Sequence, residues 1–312
     1  MDNDFMSLEL FEEPKKKESE WKEKSLIDKT YNLSDFENMN LYKSNFLLQT
    51  KKNCNLFDLY ILSIFMSRIK QTDTKETEYN IKISEIAQTI RDIKNKDYEK
   101  TKDYNTRIRK AIEHIDQATN EYNKILLPNN KYEYILCHWF SYVKISDDLD
   151  YIKFKWNEIV AEHLFNLTSK GNYGIQNIKE LLLLSKVSSY RLYEIIEANF
   201  NSNNKQQELP LKFNEFRDLM GYKNWRPATI KQEIEKAKKE INNFSKYYIE
   251  QIIYKNNDTK KNIIEKIILF VRQKTIIEKK FGIGTISDMP ELKINKKGRP
   301  KGSKNKKNKS TQ

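Results

Sequence analysis

The sequence predicts an α+β fold built from tandem winged helix-turn-helix domains, with a mobile N-terminal arm and a basic C-terminal tail. Three observations carry this expectation. The order helix, strand, helix, helix, hairpin occurs twice along the chain. Within each helical stretch the apolar residues recur at three- and four-residue spacing, and within each strand they alternate. The composition, with only 7 Gly in 312 residues, 12% aromatic and 32% charged, is that of folded, helix-rich segments. We read residues 1–28 as the arm, 29–168 as the first domain, 169–280 as the second and 281–312 as the tail.

The first unit opens with an apolar helix over Asn55–Ile69, whose Leu56, Leu59, Tyr60, Ile61 and Ile64 pack inward. TEYNIKIS follows, in which Tyr79, Ile81 and Ile83 alternate with polar residues as in a half-buried strand. Ser84 is placed to cap a helix beginning at Glu85. After a lysine-rich break near 94–102, a longer helix carries Tyr104, Ile108, Ala111, Ile112 and Ile115 inward, with Arg107, Arg109 and Lys110 on its other faces. YILCHWFSYVKI and YIKFKW then flank the turn-rich SDDLD and read as a hairpin.

The second unit repeats the order. VSSYRLYEIIEANF is a helix, ELPLKF a strand and NEFRDLM a helix ending at Gly221. The next helix starts near Pro227, which suits a first turn because its missing N–H has no partner there. Ile230, Ile234, Ala237 and Ile241 form its apolar stripe, and Thr229, Gln232, Lys236 and Lys239 lie opposite. Lys223, Asn224, Trp225 and Arg226 cluster at its entry. Glu233, Glu235 and Glu240 nearly cancel its lysines, so alone the helix suits a solvated face as well as a DNA groove. Its place as second helix of a helix-turn-helix makes it the candidate DNA reader. A closing hairpin over Tyr247–Tyr254 and Ile263–Val271 puts Lys255, Lys260 and Lys261 near its tip, where lysines meet phosphates.

Charge points to a polyanionic partner and locates the attraction. From Lys293 onward there are nine cations and no acid, which accounts for +9 of the net +13 and leaves +4 for the first 292 residues. Cys54 and Cys137 are far apart, without metal-ligand spacing, and read as reduced packing thiols of a cytoplasmic protein. No apolar run approaches the roughly 18 to 20 residues of a membrane span, and the charged N-terminus is no signal peptide. No cofactor or metal is expected.

At SKVSSYRLYEII, the residues Ser185, Lys186, Ser188, Arg191, Leu192, Tyr193 and Glu194 resemble the SK-x-S-x-RLYE signature of the initiator replication proteins of theta-replicating bacterial plasmids. The similarity continues to Lys239-Glu240-Ile241-Asn242, like the family's A-x-x-EIN, and covers roughly residues 30–275. Val187 stands where the family usually has Tyr, and the basic residues common early in the family's recognition helix are spread over Lys223, Arg226 and Lys231. The resemblance implies two winged-helix domains, binding to repeated or inverted sites in double-stranded origin DNA, help in opening an AT-rich segment, and recruitment of host replication proteins. It also implies dimers that repress the protein's own gene and monomers that act on direct repeats. A winged-helix transcription regulator is the alternative.

Three further stretches have a functional and a plain reading. Gly298-Arg299-Pro300 among lysines resembles an AT-hook core that would lay Arg299 in a narrow minor groove; otherwise the tail is a solvated polybasic segment. SLELF, with Leu8, Leu10 and Phe11, looks like the short peptides that dock on the replication sliding clamp; otherwise it is an arm with chance apolar residues. A rolling-circle nicking enzyme needs paired histidines for a metal and a nearby tyrosine. His114, His138 and His163 are spread out with no H-x-H, no phosphate-binding glycine loop is present, and no catalytic residue is assigned. His138, within a strand, reads as a packing residue.

Overall fold

The computed structural model describes residues 39–49, 51–52, 54–70, 72–94, 101–126, 132–146, 151–171, 173–256, 263–275 and 278–279. In chain order the elements are β1 (Asn40–Ser44), α1 (Asn45–Leu48), β2 (Lys51–Lys52), α2 (Leu56–Met66), β3 (Glu78–Lys82), α3 (Ile83–Lys94) and α4 (Thr101–Gln117). There follow β4 (Thr119–Leu126), β5 (Tyr132–His138), β6 (Phe140–Ile145), β7 (Tyr151–Trp156), α5 (Glu158–Glu162), α6 (Leu167–Lys170), β8 (Tyr173–Asn177) and α7 (Ile178–Leu183). The last are α8 (Val187–Asn199), β9 (Gln206–Lys212), α9 (Phe213–Leu219), α10 (Pro227–Phe244), β10 (Tyr247–Asn256) and β11 (Ile264–Gln273).

The two repeats have the same topology. In the first, β3 and β6 flank β7, the last strand of the hairpin, and every pairing is antiparallel. In the second, β9 and β10 flank β11 in the same way. Each sheet thereby closes over three helices, which are α2, α3 and α4 in one repeat and α8, α9 and α10 in the other. This is the winged-helix arrangement that the sequence order predicts.

Local chemistry sets the helix starts. Asn55 caps α2 by accepting from the amides of Phe57 and Asp58, and the Asp58 carboxylate accepts from Asn55 N at 2.8 Å, closing a capping box. The first core stacks Phe65 on Phe154 at 4.3 Å between ring centroids, with Tyr79 and Phe140 also against Phe154. The second gathers Tyr193 and Phe200 around Tyr247.

The repeats meet through equivalent elements. β1 and β8, which open the two repeats, pair antiparallel with Tyr42 opposite Ile175. Reciprocally, α1 packs on α8 and α7 packs on α2. The described chain up to Gln273 is one compact unit. Lys274–Gln312 falls in a second unit. There Thr275 and Glu278 form a helix-start box of their own, Thr275 N donating to Glu278 Oε2 at 2.8 Å and Glu278 N to Thr275 Oγ1 at 3.2 Å.

Three expectations are corrected. YILCHWFSYVKI is two strands rather than one: β5 belongs to a sheet of order β2-β4-β5, and β6 to the wing sheet. Trp139 and Phe140, adjacent and both buried, sit where the chain passes from one sheet to the other. The helix expected to start at Glu85 begins at Ile83, whose fully buried side chain carries the core directly from strand to helix, and Ser84 lies inside its first turn. His138 is exposed rather than packed, its Nδ1 3.0 Å from the Asp116 carbonyl oxygen. Among the described residues no helix is long and apolar enough to cross a membrane.

Candidate nucleic-acid interface

The turn between α9 and α10 is built by a glycine and an arginine. Gly221, at φ +75°, ends α9 in a left-handed residue. Tyr222 N then donates to Arg217 O at 2.8 Å and Gly221 N to Asp218 O at 3.1 Å, the paired bonds of a Schellman motif. From α9 the Arg217 guanidinium reaches forward to the carbonyls of Lys223 and Trp225, fixing the path of the turn. Trp225 stacks on Tyr222, with centroids 4.4 Å apart and planes 19° apart. The turn-packing reading of Trp225 therefore holds, although 42% of the residue is exposed.

α10 starts with Pro227 in its first turn, and Arg226 occupies the cap position with no side-chain bond to the helix. Ile230, Ile234, Ala237 and Ile241 are fully buried against the repeat's core. That burial leaves Thr229, Gln232, Lys236 and Lys239 exposed on the outer face. The row from Thr229 to Lys239 is about 15 Å long at 1.5 Å per residue, and a major groove about 12 Å wide admits such a helix. Lys223, Asn224 and Arg226 are exposed at its leading end. Lys236 Nζ is held 2.5 Å from Glu233 Oε1 on a half-exposed surface. Such a pair is worth about 0–1 kcal/mol, so a phosphate or base edge can replace it.

The other side of the helix is tied to the wing. Asn242 Nδ2 donates to Ile249 O at 3.0 Å, and its Oδ1 accepts from Ile249 N at 2.7 Å, so one amide clamps the start of β10 from both sides. Lys238 Nζ donates to Glu250 O at 2.8 Å, and Lys231 lies 4.6 Å from the Tyr254 ring centroid. Lys255 is exposed on β10. Lys260, Lys261, Arg299 and the Leu8, Leu10 and Phe11 segment lie outside the described residues.

Glu240 does not oppose the basic face. It turns back to α8, accepting from Ser185 N at 3.0 Å and from the Ser185 hydroxyl. Burial alone would raise its pKa, but the bonds from Ser185 and Ser189, with Lys186 nearby, hold the carboxyl below the usual range. It thus remains an anion that fixes α10 to the start of α8.

The RLYE segment is the frame behind this surface. Arg191 donates from Nε and Nη2 to Leu219 O at 3.2 and 3.1 Å, satisfying the end of α9, and from Nη1 to Glu194. Tyr193 Oη donates to Glu180 Oε2 at 2.6 Å, and Leu192 is in the core. Glu194, fully buried, accepts from Lys43 of β1 at 2.9 Å. The segment therefore joins the helix-turn-helix to the first repeat and reads no base itself.

The family described as Initiator Replication protein, WH1, matches residues 40–197, which take in the first repeat and the whole RLYE segment. The chain belongs to the initiator replication protein family. Among solved structures, this initiator is similar to the one titled "Crystal structure of Pi initiator protein in complex with iteron DNA", at 13% identity over 76% of this chain and 98% of that chain, with a TM-score of 0.57. At that identity the likeness speaks for the fold. No curated protein sequence matches this initiator.

In this initiator the three histidines occupy separate places. His114 Nδ1 faces Asp58 Oδ2 at 2.6 Å, His138 faces Asp116 O, and His163 Nδ1 lies 3.1 Å from Ser44 Oγ. Among the described residues no group of three or more His, Cys, Asp or Glu could hold a metal ion. The residues that sequence reasoning missed are Arg217, Asn242 and Lys43. Their signal lies only in contacts made at a distance, although Asn242 sits inside the family-like Glu240-Ile241-Asn242.

Proposed function

We propose that the chain starts plasmid replication by binding repeated sites in duplex origin DNA, with α10 of the second domain, residues 169–280, in the major groove. Thr229, Gln232, Lys236 and Lys239 meet base edges and nearby phosphates, while Lys223, Asn224 and Arg226 hold the backbone at the helix entry. Lys255, with Lys260 and Lys261, supplies phosphate contacts from the wing, and Arg299 anchors the tail in an AT-rich minor groove. The first domain, residues 29–168, sets the position of the second. Opening of an AT-rich segment draws on binding energy without bond-breaking chemistry, in the cytoplasm. Host replication proteins join, the sliding clamp through Leu8, Leu10 and Phe11, and a dimer represses the protein's own gene.

The observation that carries the reading is the division of α10. Its apolar stripe is spent on the core and Glu240 on Ser185, which leaves Thr229, Gln232, Lys239 and Lys236, the last in a replaceable surface pair with Glu233, outward at the reading position of a helix-turn-helix, with Glu235 also exposed. The Pi protein, bound to iteron DNA, supports the same use of a like fold. A footprint on the DNA flanking the chain's own gene tests it. Several evenly spaced protected repeats beside an AT-rich stretch are expected, whereas a single short palindrome would favour the promoter-bound regulator.

A further inference from the structure

A cleft of about 690 Å³ lies beside the recognition turn, lined by Lys186, Val187, Leu219, Met220, Tyr222 and Trp225 among others. Val187 and Trp225 are 37% and 42% exposed, an apolar surface that water covers when the cleft is empty. Lys186 lines it, and the exposed Lys223 and Arg226 follow the lining residues Tyr222 and Trp225 directly in the chain. The lining carboxylate Glu233 is engaged by Lys236. An occupant that fits must combine apolar side chains with negative charge.

The N-terminal stretch has that character. Residues 1–13, MDNDFMSLELFEE, hold five acids and no Lys or Arg, with Phe5, Met6, Leu8, Leu10 and Phe11 between them. From Phe11 to Met39, where the described chain begins, 28 residues span at most about 90 Å. Reach is therefore no obstacle.

We propose that this N-terminal segment docks in the cleft of its own chain, Leu10 and Phe11 against Trp225 and Val187 and its acids toward Lys186, Lys223 and Arg226, and so competes with DNA for the entry to α10. The proposal rests on α10 as the DNA-reading helix. Its use is discrimination: a strong site displaces the segment and nonspecific duplex does not, so charge attraction alone no longer holds the protein on any DNA.

The test uses the full-length chain with Phe11 replaced by photoreactive p-benzoylphenylalanine. Irradiation without DNA is expected to give a link within one chain to peptides containing 186–188 or 219–225, and a duplex carrying a footprinted repeat, but not a short mixed-sequence duplex, to suppress it. In parallel, L10A/F11A is expected to bind the mixed-sequence duplex about 3- to 10-fold tighter, the gain when a competent state rises from about a tenth or a third of the population to all of it. Links scattered over the chain, links between chains, or unchanged affinity of L10A/F11A would each overturn the proposal. The footprint on flanking DNA is independent of this segment, so a failure of the DNA-reading role shows there and a failure of docking shows only here.

Discussion

Lys43 Nζ and Glu194 Oε1 lie 2.9 Å apart, with 1% and 0% of their side chains exposed. Lys43 comes from the first strand of the first repeat and Glu194 from the RLYE segment of the second. Tyr190 Oη accepts a further bond from Lys43 at 3.2 Å and shares one with Ser63 of α2 at 2.7 Å. Burial alone would lower the Lys43 pKa, yet Glu194 and Tyr190 hold it above the usual lysine range. The pair continues through Arg191 to the carbonyl that ends α9, so a polar chain runs from the first repeat to the helix before the recognition turn.

Lys43→Met removes one side of that chain and leaves Glu194 buried with Arg191 alone. Breaking a buried pair costs about 3–5 kcal/mol, and the remaining Arg191 places this case near the lower figure. Urea unfolding of K43M, E194Q and the double variant measures it. The two losses should fail to add, by at least about 1 kcal/mol. Additive losses would mean that the two groups do not depend on one another.

Gly221→Ala tests the turn in front of α10. At φ +75° a side chain is strained, while the added Cβ would meet no atom within 4 Å. The expected cost is therefore the left-handed conformation alone, about 1–2 kcal/mol, and Asn should recover part of it. A loss well beyond this in denaturant melts would point to a clash that the geometry does not contain.

Much of the fold was legible because its signals are local. The stripe of Ile230, Ile234, Ala237 and Ile241, Pro227 in the first turn and the glycine after α9 all act within a few residues. The β1 to β8 pairing was not, since two five-residue strands more than a hundred residues apart carry no mark of each other. Nor could a count of charges reveal that Glu240 faces Ser185 and that Lys43 is buried. Net charge along α10 counts Glu240 against its basic face, although a tertiary contact that periodicity does not record turns that acid toward Ser185.

Lys255 and Gln232 should separate phosphate attraction from base reading. Lys255→Ala is expected to weaken binding similarly across sequences and to reduce the slope of log affinity against log salt by about 1. Gln232→Ala should cost about 1–3 kcal/mol on the footprinted site and little on unrelated duplex. Anisotropy titrations on both duplexes at several salt concentrations measure each effect. Equal losses on both duplexes for Gln232→Ala would assign base reading to another face.

Glu180 should make stability depend on pH in the direction opposite to a surface carboxylate. Burial pushes its pKa up, and the bond from Tyr193 and the nearby Lys246 offset that only in part. The folded state therefore holds the proton more tightly than the unfolded chain, whose value is near 4.5. The favourable contribution is full below that unfolded value and is lost as pH rises through the higher folded one. Glu180→Gln keeps an oxygen for the Tyr193 hydroxyl and removes the half-buried charge. It should melt a few degrees above the parent near neutral pH, the two curves converging as pH falls toward about 4.5. Thermal melts across that range decide the matter. A variant less stable than the parent near pH ~8 would show that the ionised carboxylate is needed, through Lys246, to hold α7 against α8.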